Sequence, residues 1–514
     1  MLRWLFRSKY APPKPSSPPL AVRGHRSASG PASGSALDQI RFALRNSSDV
    51  AYQSFLIQHT IPCTLVYIQS IVDLSVLQGQ IIEKLIGHES SKTAEELFGA
   101  IRSGACLTVH SSFTTDLEQV LTDIVEGKAA LIIGGLDTVI TLNVAKYTHR
   151  PVSEAQNEMV IVGPQEAFIE NLDTNLSLLR HRVKHPNLKN ILLTVGTYTK
   201  TRVIVTYIEG LCDPDTLRDI VSKISQIKRD SILGSSYISE HIDPSPYSPF
   251  PLIQFTERPD SMAASLLEGR IGILVDGTPQ SLLVPVTFFS LMQSPEDYFQ
   301  SFLAATWIRW IRYFFLIVSF LMPSMYVAIT TFHPEMIPPA LLISIAAARE
   351  NIPFPALAEV IAMELTFEGL REAGIRIPRP LGQTVSILGA IVIGQSAVQA
   401  GIVSAPTVII VSITGIASFI IPHFELGLAF RLLRFPLILI GGTLGFYGII
   451  VGLFLIYWHL VTLNSFGVPY MKPLAPLVLR DWKDIFLRVP WTKMKNRPEM
   501  YGTGNDSREG TGHE

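Results

Sequence analysis

Between Trp307 and Leu463 the chain returns repeatedly to apolar runs of bilayer length, and this block limits what the whole molecule can be. Thr384–Ser404 and Pro436–Trp458 carry no charged side chain, and each approaches the roughly 20 residues that a helix needs to cross the hydrocarbon core. Lipid offers the backbone no hydrogen-bond partner, so such runs are predicted as helices. Four spans are expected, at 308–330, 384–404, 406–423 and 436–461. Ile337–Ala348 is apolar for only about a dozen residues, too short for an ordinary span, and reads as re-entrant or buried; a fifth span through 337–350 is the alternative, and it would put the tail on the other side.

The rest of the chain is more polar. Residues 1–35 carry Arg3, Arg7, Lys9, Lys14, Arg23 and Arg26, no acid, and many Pro and Ser. Such a segment buries too little apolar surface to fold and reads as a basic disordered tail. From Leu37 onward helical and strand patterns alternate, which argues for α/β structure. Thr93 with Glu96 opens a capping-box helix. Leu117, Val120, Leu121, Ile124 and Val125 form the apolar stripe of another.

One internal echo stands out. EGKAALIIGGLDTVITLNV begins at Glu126 and EGRIGILVDGTPQSLLVPV at Glu268. Each follows an amphipathic helix and reads as two strands around a hairpin dipeptide, Gly134-Gly135 or Asp276-Gly277. Two related subdomains of βαβ-like build are therefore expected, 36–150 and 151–300, followed by a membrane bundle over 301–463 and a tail over 464–514. An even number of spans returns that tail, with Lys472, Arg480, Lys483, Arg488, Lys493, Lys495 and Arg497, to the side of the soluble module. The positive-inside bias makes that side cytoplasmic.

Within the bundle two stripes of small residues recur at helical spacing: Ala390, Gly394, Ala397, Gly401, and Gly441, Gly445, Gly448, Gly452. In lipid, close backbone approach at such stripes holds helices together, within one chain or between copies. Beside the first stripe, Leu388, Val392, Gln395 and Gln399 share an edge whose two amides suit a wet, pore-lining face or an inter-helical hydrogen bond. Glu364, Glu368 and Glu372 share one face of Phe354–Gly374. That segment reads as an amphipathic helix at the bilayer surface or as carboxylates at a pore mouth.

Several chemistries are not supported. The formal net charge of −1 gives no electrostatic case for nucleic acid. Cys63, Cys106 and Cys212 form no C-x-x-C pair and read as buried small side chains in a reducing compartment. There is no G-x-x-x-x-G-K-[ST], G-x-S-x-G or H-E-x-x-H. His181 and His185 lack a third ligand. Neither an enzyme nor a bound metal or cofactor is expected.

GPQEAFIENLDTNLSLLRHRV from Gly163, TERPD at Thr256–Asp260, the Glu268 segment, SPEDYF from Ser294, HPEMIPPALL from His333 and REAGIRIPRPLGQTVSILGAIVIGQSAVQAGIVSAP from Arg371 together resemble the GerA family of spore germination proteins, in particular its receptor A subunit. The resemblance covers about residues 37–490. Ala155, Gln156 and Val162 depart from its usual pattern, which commonly has Pro, Glu and Arg at these places. It implies a transporter-like B partner and a lipoprotein C partner, a spore inner-membrane location, and A-type subunits that oligomerise into a nutrient-gated ion channel. A germination-amplifying relative shares the layout. The residues by themselves also admit a secondary transporter or a membrane-anchored binding scaffold.

Overall fold

The structure is a computed structural model, which describes residues 35–58, 60–88, 93–146, 158, 160–376, 394–502, 505 and 507–508. The basic tail predicted over 1–35 lies, but for Ser35, outside them.

Ten strands form two sheets. The first holds β1 (Val50–Ile57), β2 (Ile61–Ile68), β3 (Ser111–Thr114), β4 (Lys128–Ile133) and β5 (Val139–Asn143), in the order β1-β2-β4-β5-β3. The second holds β6 (Leu188–Val195), β7 (Thr201–Ile208), β8 (Gln254–Thr256), β9 (Ile271–Val275) and β10 (Ser281–Val284), in the order β6-β7-β9-β10-β8. Counted within each unit, both read 1-2-4-5-3. The echo is thus a repeated topology, and the correspondence extends to the backbone. Gly127 and Gly269 leave the preceding helices at φ 95° and 88°, and Gly135 and Gly277 turn the hairpins at φ 91° and 83°. Only glycine adopts such angles without strain. The expected βαβ-like build is present in split form. Every ladder between these strands is antiparallel, but β5 lies between β3 and β4, and β10 between β8 and β9. The helix of each repeat, Leu117–Val125 or Pro259–Leu267, therefore joins two strands that run parallel, and it packs on its own sheet.

Local signals explain the elements. Thr93 caps Ala94–Arg102 and Glu96 returns the bond, the predicted capping box. Alternate residues of β7, β9 and β10 face opposite ways. One face meets Ile220, Ile224, Ile238 and Ile242 of two helices, and the other meets Leu172, Leu176, Met262 and Leu266 of two more. The second sheet is therefore covered on both sides. β1, an edge strand, carries no clear alternation of apolar residues and escaped the sequence reading. Burial pushes the Cys63 thiol up to about 11 and Cys212 to about 12.

A buried ion pair joins the two units. Arg180, from the basic end of Leu172–Arg182, donates to both oxygens of Asp49 at 2.9 Å, and the side chains are 1% and 4% exposed. Asn190 adds a third bond to Asp49 at 3.2 Å. The chain before β1 lies along β6, with Ser48 N–H donating to the Asn190 carbonyl at 2.9 Å.

A second buried cluster joins the module to the helices. Asp297 receives Arg309 Nε at 2.9 Å and both terminal nitrogens of Arg312 at 3.0 and 2.9 Å. Arg309 also meets Asp484 of the C-terminal segment at 3.1 Å, and Tyr298 donates to the same carboxylate at 2.9 Å. The tail therefore returns to the module's end of the bundle.

Two helices, Phe302–Phe332 and Phe424–Thr462, are long and apolar enough to cross a membrane. The second is not straight. Its 39 residues would extend about 60 Å as one helix, yet Phe430 and His459 both stack on Phe250, at 5.7 and 6.1 Å. Gly445, at φ 61° and ψ −146°, reverses the chain and makes a helical hairpin. The expected span at 436–461 thus becomes the end of one limb, the bend and the returning limb. The expected span at 406–423 is a helix of 14 residues, Ala405–Ser418, followed by turns. For 384–404, only Gly394–Gln399 is described as helix, and it stops at Gly401, whose φ is 66°.

Breaking a buried ion pair costs about 3–5 kcal/mol, against about 1 kcal/mol or less for an exposed one. Asp49→Asn should therefore lower the thermal midpoint of the detergent-solubilised chain by several degrees. Arg45→Ala, at the exposed Arg45–Glu209 pair, should scarcely move it. Equal midpoints for the two variants would show that the Asp49–Arg180 pair does not hold the units together.

Candidate functional site in the helical bundle

The acidic helix Ala356–Arg376 packs among its neighbours. Leu357 fills the space over Gly442, 2.7 Å from where a Cβ would stand, and the Phe367 ring covers Gly415. Small residues on the two neighbouring helices thus admit it. Its carboxylates then fall at three depths: the Glu364 side chain is 0% exposed, Glu368 27% and Glu372 62%.

The interior carboxylates find arginines. Glu364 lies 3.2 Å from Arg434, which rises from the first limb of the hairpin. Glu368 meets Arg434 at 3.3 Å, Arg431 at 3.5 Å and Arg371 at 3.1 Å. Arg371 reaches Ser418 Oγ at 3.1 Å and lies over the rings of Phe367 and Phe419. Two acids thus face three arginines. Glu359, also buried, accepts from Ser404 N–H at 3.0 Å, Ser404 Oγ at 2.8 Å and Thr407 Oγ1 at 3.1 Å. Its other oxygen accepts from Arg349 at 3.2 Å. A carboxylate at the start of Ala405–Ser418 is favoured by that helix's dipole.

Within this chain the inner carboxylates are therefore neutralised by arginines. Glu372 is outermost and pairs with Arg376 at 2.7 Å. The acidic side of the helix turns largely into the protein at Glu364 and Glu368. Spacing along one helix could place the three acids on a face. It could not reveal that Arg434, 66 residues beyond Glu368, and Arg431 line the helix opposite.

The second small-residue stripe packs within the chain. Gly441, Gly445, Gly448 and Gly452 are all buried, but across a bend. A Cβ on Gly448 would stand 2.6 Å from the Ile440 carbonyl, and one on Gly452 would stand 2.8 Å from Leu437. The glycines let the two limbs of one chain touch. Of the other stripe, Ala390 lies outside the described residues, as do Leu388 and Val392. Gly394 and Ala397 are half-buried, and Gly401 ends the helix. Gln395 and Gln399 are exposed. The structure therefore gathers the acids with their arginines and leaves the two amides apart from them.

Arg434→Met strands Glu364 without its cation, and a broken buried pair of this kind costs about 3–5 kcal/mol. Glu364→Gln combined with Arg434→Met should cost less than the sum of the single changes, by about 1 kcal/mol or more. Chemical unfolding of the four proteins in detergent measures this coupling, and additive costs would mean the pair is not coupled.

The comparisons agree on the chain's kinship. Residues 38–500 match the profile described as Bacillus/Clostridium GerA spore germination protein. Among curated relatives, the uncharacterized membrane protein YfkQ of Bacillus subtilis is 43% identical over 469 residues, 91% of either chain. Spore germination protein KA of the same organism is 40% identical over 468 residues, covering 90% of this chain and 86% of that one. Spore germination protein A1 is 40% identical over 389 residues, 76% of this chain and 80% of its own. The crystal structure of the N-terminal domain of the A subunit of the Bacillus megaterium spore germinant receptor GerK3 is 31% identical, covering 49% of this chain and 94% of that one, with a TM-score of 0.38. With the family profile spanning most of the sequence and relatives of about 40% identity over most of their own length, the chain belongs to the GerA family of spore germination proteins.

Proposed function

We propose that this chain is the A-type subunit of a nutrient-responsive germination receptor, and that copies of it assemble in the spore inner membrane around an ion path. The charged interior of the bundle carries this reading. Ionisable groups placed among membrane helices are expensive and mark function by default, and here five of them share one network. The outward faces support the membrane setting, since Phe314, Ile317, Leu432, Ile450 and Phe454 are exposed at 56–64%.

In this reading the arginine–glutamate network ties the acidic helix to the hairpin. The path itself is lined by the segment bearing Leu388, Val392, Gln395 and Gln399, whose described amides have no neighbour within the chain to cover them. Half-buried Gly394 and Ala397 leave room for a second copy to approach. The transporter-like B subunit and the lipoprotein C subunit are the expected partners. The soluble module and the tail, which share one end of the bundle, face the cytoplasm under the positive-inside rule. No step of this function calls for an enzyme activity or a cofactor.

Reconstitution of the purified chain in liposomes, with ion flux recorded with and without partners and nutrient, tests the channel. Gln395→Leu should lower conductance about tenfold while assembly, read by size in detergent, stays unchanged. A silent oligomer under every condition, or equal flux from Gln395→Leu, would remove the pore reading and leave a membrane-anchored scaffold.

A further inference from the structure

A cavity of about 360 Å³ opens where the second α/β unit, the turn before Phe302–Phe332 and the C-terminal segment meet. It is separate from the charged network of the bundle. Glu158, Asp260, Glu268, Phe299 and Trp491 are among its walls. A volume of this order accommodates a small organic ligand.

The polar groups around it are unevenly satisfied. Of the two arginines in its wall, Arg270 has all three nitrogens engaged, with Pro285 O at 2.8 Å, Ser265 Oγ at 3.1 Å and Gln254 Oε1 at 2.8 Å. Arg508 donates to Glu268 at 2.7 Å. The acceptors are less well served. Asp260 uses Oδ2 for Arg258 at 2.8 Å, while its Oδ1 is buried with no hydrogen-bond partner among the described residues. Ser261 Oγ, also in the wall, is in the same position. Glu158 takes the Thr256 hydroxyl at 2.8 Å and the Glu257 N–H at 3.0 Å, both on Oε2. A buried acceptor without a donor is destabilising, so the complement of this wall is a donor, and a positive one.

We propose that this cavity binds a small organic ammonium compound, its cation held by Glu158 and Asp260 and its apolar part laid against Phe299 and Trp491. Burial pushes Glu158 and Glu268 up to about 7, and a cation beside them would relieve that penalty. Arg270 has all three nitrogens engaged and Arg508 is paired with Glu268, whereas Asp260 keeps one oxygen without a donor. Phe299 belongs to the same turn as Asp297, so an occupant would touch the root of the first long helix. The inference stands whether or not the chain conducts ions.

The test uses the full chain in detergent and three shape-matched probes: benzylammonium, benzyl alcohol and benzoate. Saturation-transfer NMR and calorimetry should find benzylammonium bound at least about tenfold tighter than either of the others, a difference of about 1.4 kcal/mol. Glu158→Gln and Asp260→Asn should each lose that preference. Ala264→Phe fills the cavity without touching an ion pair and should abolish binding even if the acid variants fail to fold. Equal binding of the three probes, no binding of any, or undiminished benzylammonium binding by folded Ala264→Phe would overturn the proposal.

Discussion

Asp297 joins the soluble module to the first long helix. One carboxylate, 1% exposed, carries two arginines from successive turns of the first long helix. Taking a carboxylate and two guanidinium groups out of water is costly unless geometry and hydrogen bonds compensate. Here the Met292 carbonyl and Asp484 supply further acceptors. The first helix therefore leaves the soluble module at a fixed angle, and everything packed on it inherits that angle. The motif segments reinforce the same place. Arg258 reaches back to the Pro164 carbonyl at 2.7 Å, and Glu296 accepts from Ile161 N–H at 2.6 Å. Three stretches far apart in sequence, around Gly163, Thr256 and Ser294, thus meet where module and helices join.

The soluble half was largely legible because its signals are local. A capping box, an amphipathic stripe and a turn dipeptide each act within a few residues, and the same signals recur in both units. What could not be read was the strand inserted between the two that each helix joins, because which edge a returning strand takes is not decided by neighbouring residues. The edge strands β1 and β8 were missed too. One has no clean alternation, and the other is only three residues long.

In the helical half the pattern itself misled. Glycines at 441, 445, 448 and 452 have the spacing of a straight packing stripe, and the run between them carries no charge or proline to mark a stop. Only a backbone angle shows that Gly445 reverses the chain. The acids on Ala356–Arg376 were found, but their partners lie on another helix, and pairing between helices has no signature along one of them. The bundle's interior is accordingly polar at two levels, with Glu359, Ser404 and Thr407 at one and Glu364, Glu368 and the arginines at the other.

The bend at Gly445 has a topological consequence. A hairpin that starts and ends on Phe250 adds two crossings or none, so it leaves the parity of the chain unchanged. The side on which the tail emerges is then set by the helices before residue 424. Arg431 and Arg434 lie inside the protein, not in a loop, so they cast no vote in an orientation count. Lengthening or shortening both limbs together would alter how deep the hairpin reaches without inverting anything that follows it.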